Sequence, residues 1–512
     1  MVSPYLGTPT YKEEFASSLH IFTTPRTRET MSSATRGDLE HVELFTDFYE
    51  LTMAQGYWRA GRADKRACFD YFFRSLPFEG GFVIFAGLGD LLDRLDNLQF
   101  DETSLAFLAE AGLDKDFLDY LSTWRFKGNI RAAHEGEVVF PLEPILQVEG
   151  SMLDAQLLEA LLLNTLNFQS LIATKAARIK LATKGAPFVE FGLRRAQGMG
   201  ALQASRAAMI GGASGTSNVH AAFQLGLSLR GTQAHAWIQH YDDELEAFRA
   251  WADLYPNNCV LLVDTYNTLG AGVPNAITVG KELAAKGKSL EAIRLDSGDL
   301  AYLSKKARAM LDEAGLTETK IYATNQLDEH LIESLKRQGA PIDLYGVGTR
   351  LVTGHDAGAL DGVYKLAVRD GEPCLKISDN FTKVNFPGDK NLWRYFDANG
   401  NFYGDAISLA SEAGPSIETI YHPFFPEQRS KVASLQREEL LHDVVKEGER
   451  VLEDRSIAEI AAYSTSRLDL LPEEHRRFEN PHTYKVGVTK ELLTLRSDLY
   501  NATRGRALGE EG

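Results

Sequence analysis

The chain has 512 residues, 44% of them hydrophobic and 24% charged, the composition of a folded globular protein and too long for a single ordinary core, so at least two packed domains are expected. A formal net charge of -17 repels phosphate backbones and anionic headgroups, which argues against nucleic acid or a membrane surface as the main partner and confines any phosphate site to a local basic pocket. Cys68, Cys259 and Cys374 lack zinc-site or disulfide spacing, which points to a reducing, cytoplasmic setting, and no apolar run reaches the about 18 residues of a membrane span.

Residues 1–40 mix Lys12, Glu13, Glu14, Arg26, Arg28 and Glu29 without the apolar centre of a secretory signal; they read as a flexible extension, with Met31 as an alternative start. From 41 to 165 an α+β domain is expected. Its antiparallel strands lie in CFDYFFRSL and GNIRAAHEGEVVFPLEPILQVEG, and ETSLAFLAEAGLDKDFLDYLSTW reads as two short helices. Residues 366–512 are expected to return to this domain, and GVYKLAVRD with GEPCLKIS resembles a hairpin.

Between them, over 166–365, short β-branched runs alternate with helical patterns, the rhythm of βα units. The strand candidates are PFVEFG, GTSNV, GTQAHAW, CVLLVDTY, AIRLDSG, KIYATN and IDLYGVGT. Leu300, Leu303, Ala307 and Met310 recur at helical spacing after the fifth. The predicted fold is therefore α/β, an irregular (β/α) barrel of about seven strands plus the α+β domain. Polar residues end nearly every strand: Arg194 and Arg195, Ser217 and Asn218, His235, Asp264 and Thr265, Asp296 and Asp299, Asn325, then Gly348 and Thr349. The ends of separate barrel strands converge on one mouth, so this register points to a site there.

The motifs carry distinct chemistry, each with a plainer alternative. In IRLDSGDL, Asp296 and Asp299 can hold ribose hydroxyls or a hydrated magnesium ion, although Asp and Ser also cap helices. In IDLYGVGTRLVTG, small residues after a strand let backbone N–H groups approach a phosphate, as a simple glycine turn also would. GGASGTSN has the same ambiguity. Arg194 and Arg195 suit bidentate contacts to pyrophosphate or carboxylate, or form a solvated pair. His235, in GTQAHAW, titrates near neutrality and can act as nucleophile, base or ligand, or simply pack beside Trp237.

Taken in order, TDFYELTMAQGYWRAG, FDYFFRSLPFEGGFVIFAGLGDLL, LNFQSLIATKAAR, EFGLRRAQG, GGASGTSN, GTQAHAW, LLVDTYNT, IRLDSGDL, YATNQLDE and YGVGTRLVT resemble the nicotinate phosphoribosyltransferase family. Agreement runs from Glu43 to about Lys365 and is weaker at NPHTYKVGVT. The resemblance implies a homodimer with shared active sites, acting on nicotinate, phosphoribosyl pyrophosphate and ATP in NAD biosynthesis. It makes Tyr49 an aromatic that stacks on the pyridine ring from across the interface, with Phe168 as its counterpart. His235 becomes a phosphohistidine formed from ATP. Arg294, Arg194 and Arg195 contact phosphates or the nicotinate carboxylate; Gly348 and Thr349 hold the 5′-phosphate with Ser214 nearby; Asn325 joins the substrate-binding set. Asp296 and Asp299 handle ribose and magnesium. A nicotinamide phosphoribosyltransferase and a non-catalytic barrel that binds a phosphorylated metabolite are the alternatives, while a quinolinate enzyme would call for a more basic pocket and a much shorter chain.

Overall fold

A computed structural model describes residues 40–376 and 385–508. The expected extension at 1–40, with the alternative start at Met31, lies outside the described residues but for Glu40.

Among the described residues, three large sheets and a two-stranded ladder, Val83–Ile84 with Val138–Val139, organise the chain. The first has seven antiparallel strands, in the order Glu372–Pro373, Gly362–Arg369, Arg66–Phe73, Leu146–Ser151, Asn129–Ala132, His442–Lys446 and Glu449–Arg450. Strand Arg66–Phe73 is buried along nearly its whole length, as expected of RACFDYFF placed centrally between two partners. The two helices read from ETSLAFLAEAGLDKDFLDYLSTW are Glu102–Glu110 and Lys115–Thr123, and the first is capped by Asp101, which accepts from Ser104 N at 2.7 Å.

The second sheet is parallel and curled into a half-barrel, in the order Phe188–Glu190, Leu344–Val347, Lys320–Ala323, Leu290–Leu295 and Cys259–Leu262. Five of the seven expected strands are thus regular strands. In GTSNV only Thr216 pairs, bridging Glu190 on one side and Leu229 on the other. GTQAHAW is not a strand: His235 opens the short helix His235–Gln239. The segment before it is held by side chains instead of a ladder, with Gln233 Nε2 donating to Val260 O at 3.0 Å and Arg294 Nη1 donating to Gln233 O at 3.1 Å.

After 385 the chain divides, with His442–Lys446 and Glu449–Arg450 joining the first sheet. Six strands form a sheet of their own, ordered Arg429–Lys431, Thr419–Tyr421, Val486–Val488, Phe402–Leu409, Lys390–Phe396 and Gln436–Glu439. Its two faces bury different sets, Leu392, Ile407 and Val488 on one and Tyr395, Ala406 and Ile420 on the other. That alternation gives it an independent reason to form.

Helix Glu159–Ala182 ties the half-barrel to the first sheet. Leu161, Leu162 and Leu166 enter the core of the seven-stranded sheet, while Ile172, Ala173, Ala176 and Ile179 enter that of the half-barrel. A buried network locks the helix in place: Arg206 makes paired bonds to Glu135 at 2.5 and 2.9 Å and one to Gln169 at 3.0 Å, and Gly87 N donates to Glu135 at 2.6 Å. Among the described residues, no helix is long and apolar enough to cross a membrane.

Candidate active site

Every strand of a parallel sheet ends on the same edge, and ligands of open α/β sheets bind outside that edge. Along the half-barrel it carries, in spatial order, Arg194 and Arg195, Gly348 and Thr349, Thr324 and Asn325, Asp296, then Asp264 and Thr265.

A connected polar cluster occupies its far half. Arg294 donates to Asp296 Oδ1 at 3.0 Å, Thr324 Oγ1 at 3.0 Å, Thr232 Oγ1 at 2.8 Å and Gln233 O. Thr324 Oγ1 in turn donates to Asp296 Oδ1. Asp264 Oδ2 accepts from Asp296 N at 2.8 Å and from Ser297 Oγ at 2.7 Å, while its Oδ1 is buried without a hydrogen-bond partner. His235 closes the group, with Nδ1 at 3.1 Å from Thr265 Oγ1 and Nε2 at 3.6 Å from Asp296 and 4.0 Å from Asp264. Burial pushes the Asp296 carboxyl up, but the Thr324 hydrogen bond, Arg294 and His235 outweigh it and hold the carboxyl below its ordinary range. The strand ends therefore present a fixed guanidinium hydrogen-bonded to an ionised carboxylate, with a half-exposed imidazole beside that carboxylate.

The near half is more open. Arg194 and Arg195 are exposed, on a turn fastened from beneath by the fully buried Glu190. Its carboxylate accepts from Gly192 N, from Ser205 Oγ at 2.9 Å and from Thr216 Oγ1 at 2.5 Å. Arg195 and Phe168 line a cavity of about 430 Å³ together with Met199, Val352 and Thr353. Phe168 also lines an adjoining cavity of about 520 Å³, whose wall includes Tyr49, Glu50 and Glu159. Tyr49 thus shares a cavity with Phe168 of its own chain. Its phenol is pushed up to about 12, chiefly by burial and then by Glu159, Glu50 and Asp47.

The remaining expected residues divide. Gly348 sits at the edge in a place where only glycine fits, since a Cβ there would lie 2.9 Å from Phe191 O, and Thr349 opens the short helix that follows. Asn325 is exposed in a left-handed turn, at φ 85°. Asp299 is exposed and caps helix Leu300–Glu313 by accepting from Tyr302 N at 3.0 Å, so the capping alternative is realised for it and not for Asp296. Ser214 donates to Phe188 O at 2.8 Å, at the starting end of that strand, and the structure does not bring it level with Gly348 and Thr349. The one set of three side chains among the described residues spaced to hold a metal is His41, Glu43 and Asp101, which includes neither Asp296 nor Asp299.

Thr232, Gln233, Glu190 and Thr324 escaped the sequence reading. A threonine ending a β-branched run looks like any strand residue, and a lone strand glutamate looks like a solvated one.

Comparison with known proteins agrees over most of the chain. Residues 44–167 match the N-terminal domain model of nicotinate phosphoribosyltransferase, 187–397 the family model and 389–496 the C-terminal domain model. The chain is 44% identical to nicotinate phosphoribosyltransferase of Bacillus subtilis (strain 168), over 91% of its own length and 97% of the relative's. It is 37% identical to that of Dictyostelium discoideum, over 89% and 88%. The crystal structure of human nicotinic acid phosphoribosyltransferase superposes with a TM-score of 0.79 at 31% identity, covering 89% of this chain and 99% of that one. The chain belongs to the nicotinate phosphoribosyltransferase family.

Proposed function

We propose that this chain transfers the phosphoribosyl group of phosphoribosyl pyrophosphate to the ring nitrogen of nicotinate, releasing pyrophosphate and nicotinate mononucleotide for NAD biosynthesis, with ATP hydrolysis coupled through His235. The observation that carries this reading is the Arg294–Asp296–His235 cluster at the strand ends.

As the anomeric C–O bond lengthens, positive charge grows on the sugar and negative charge on the departing pyrophosphate. Preorganised charge stabilises that separation most. Arg294 is fixed by four acceptors and faces the leaving group with Arg194 and Arg195. Asp296 holds the ribose, joined by Asn325, and Gly348 and Thr349 receive the 5′-phosphate. The pyridine nitrogen attacks without losing a proton, so no general base is needed. Phe168 beside Arg195 suits a flat aromatic acid, one offering a ring face and the other a cation. Tyr49 shares a cavity with Phe168 of its own chain and lies on an exposed face with Phe48 and Met53, so in a homodimer that face also offers a stacking ring to a partner copy. The Thr216 and Leu229 segments complete the half-barrel into an irregular barrel around these groups.

Asp296 and the unpartnered Asp264 oxygen are hard oxygen donors, and Asp299 lies exposed close by in sequence. These fit magnesium, which needs only one or two carboxylates because it keeps water and binds substrate phosphates. When bound, it supplies further positive charge against pyrophosphate.

The carboxylates beside Nε2 of His235 favour the tautomer protonated there, which leaves on Nδ1 an electron pair that accepts from Thr265 Oγ1 until a phosphoryl group takes that place. Nδ1 attacks the γ-phosphorus of ATP and ADP departs; water later takes the phosphoryl group. Mass spectrometry of a mixture of nicotinate and phosphoribosyl pyrophosphate, with and without ATP, tests the proposal. Nicotinate mononucleotide in both and more with ATP is expected, and no product in either overturns it.

A further inference from the structure

We infer that Thr324 is a positioning residue: its hydroxyl sets Arg294 and Asp296 as one unit, and its methyl, lodged in the notch left by Gly346, fixes the direction in which that hydroxyl faces. The inference rests on the proposed roles of Arg294 and Asp296 toward phosphoribosyl pyrophosphate.

Thr324 is buried at 4% exposure, just past strand Lys320–Ala323. Its Oγ1 accepts from Arg294 Nε at 3.0 Å and donates to Asp296 Oδ1. One oxygen therefore orients the cation and the carboxylate together, using its lone pair on one and its proton on the other. Its backbone N donates to Leu295 O at 2.9 Å, which ties the same residue to the strand carrying both partners.

The methyl explains why the hydroxyl stays in place. A Cβ built on Gly346 would lie 2.6 Å from Thr324 Cγ2 and 2.6 Å from the Phe191 ring, so the missing side chain at 346 is the space those two groups fill. β-Branched side chains have few allowed χ1 states. Exchanging the two branches would turn the hydroxyl toward the Phe191 ring, leave it unpaired and set a methyl against Arg294 and Asp296.

Thr324→Val and Thr324→Ser separate this role from simple packing. Valine keeps the shape and loses the hydroxyl; serine does the reverse. Losing a hydrogen bond to charged groups predicts a kcat/KM for phosphoribosyl pyrophosphate lower by about 10- to 100-fold in Thr324→Val, carried in part by weaker binding of that ligand. The same loss lowers its melting temperature, so the kinetics are read well below that midpoint, where Thr324→Ser should recover most of the activity. If packing alone matters, the order reverses: serine is the worse variant and valine resembles wild type, which overturns the inference. Calorimetric titration with phosphoribosyl pyrophosphate ranks the same variants without turnover. A wild-type protein that binds this ligand and yields no product would strike the proposed function, while the binding order of the variants still decides the role of Thr324.

Discussion

His235 Nε2 lies 3.6 Å from Asp296 Oδ2, so the residue proposed to take a phosphoryl group from ATP stands directly beside the residue proposed to hold the ribose. A charge change on the imidazole is felt at the substrate site, and such a modification shifts an equilibrium by its differential free energy for the two states. His235→Ala should retain weak transfer activity and lose its stimulation by ATP, as read from pyrophosphate release with and without the nucleotide. Full stimulation in the variant would remove His235 from the coupling.

Arg294→Ala deletes the guanidinium that faces the leaving group and takes one partner each from Thr232, Thr324 and Asp296. By analogy with loss of one preorganised donor at a developing charge, kcat should fall by about 100- to 1000-fold. Arg294→Lys should recover little, because a single ammonium cannot reproduce the four contacts. Steady-state kinetics check this, and a lysine variant near wild type would count against fixed geometry as the cause.

Gly348→Ala forces a Cβ to 2.9 Å from Phe191 O, and the backbone of Gly348 and Thr349 must move. If that backbone receives the 5′-phosphate, the KM for phosphoribosyl pyrophosphate rises while that for nicotinate changes little. Equal effects on both would place the phosphate elsewhere.

Arg206→Ala leaves Glu135 buried without its cation. Removing one partner of such a pair costs about 3–5 kcal/mol. Equilibrium urea unfolding reads that loss directly. A change under about 1 kcal/mol, the range of exposed pairs, would mean that the network contributes little to the joint between helix and half-barrel.

Glu50 offers a pH test. Burial, opposed by hydrogen bonds from Thr46 and the Ala160 backbone, pushes its carboxyl from 4.5 up to about 7. The folded state then holds a proton that the unfolded chain releases earlier, so the contribution is fully present below pH 4.5 and is lost as pH rises through 7. Glu50→Gln lacks this term, and its thermal midpoint should gain on wild type steadily across that interval. A constant difference between the two curves would show that Glu50 does not titrate with folding.

Strand ends were legible in the sequence because an apolar run followed by Asp, Arg or Gly is a local signal; Asp264, Asp296 and Gly348 announce themselves in this way. What depends on the level of one chain segment against another was not legible. Ser214 and Ser217 lie three residues apart, yet the first meets Phe188 O and the second meets Glu190 O, at opposite ends of the strand. Asp296 and Asp299 look equivalent until the backbone turns the second into a helix cap. The parallel pairing of Phe402–Leu409 with Val486–Val488 joins segments distant along the chain, and no local pattern announces it. Thr324 hid for the same reason, since its partners lie about thirty residues upstream.

Turnover of nicotinate, nicotinamide and quinolinate, each with phosphoribosyl pyrophosphate, magnesium and ATP, weighs most directly on the account. A kcat/KM for nicotinate far above the other two is predicted, because a site with Arg195 beside Phe168 should favour a flat ring with a single carboxylate. Preference for nicotinamide, or turnover of none of the three, would contradict it.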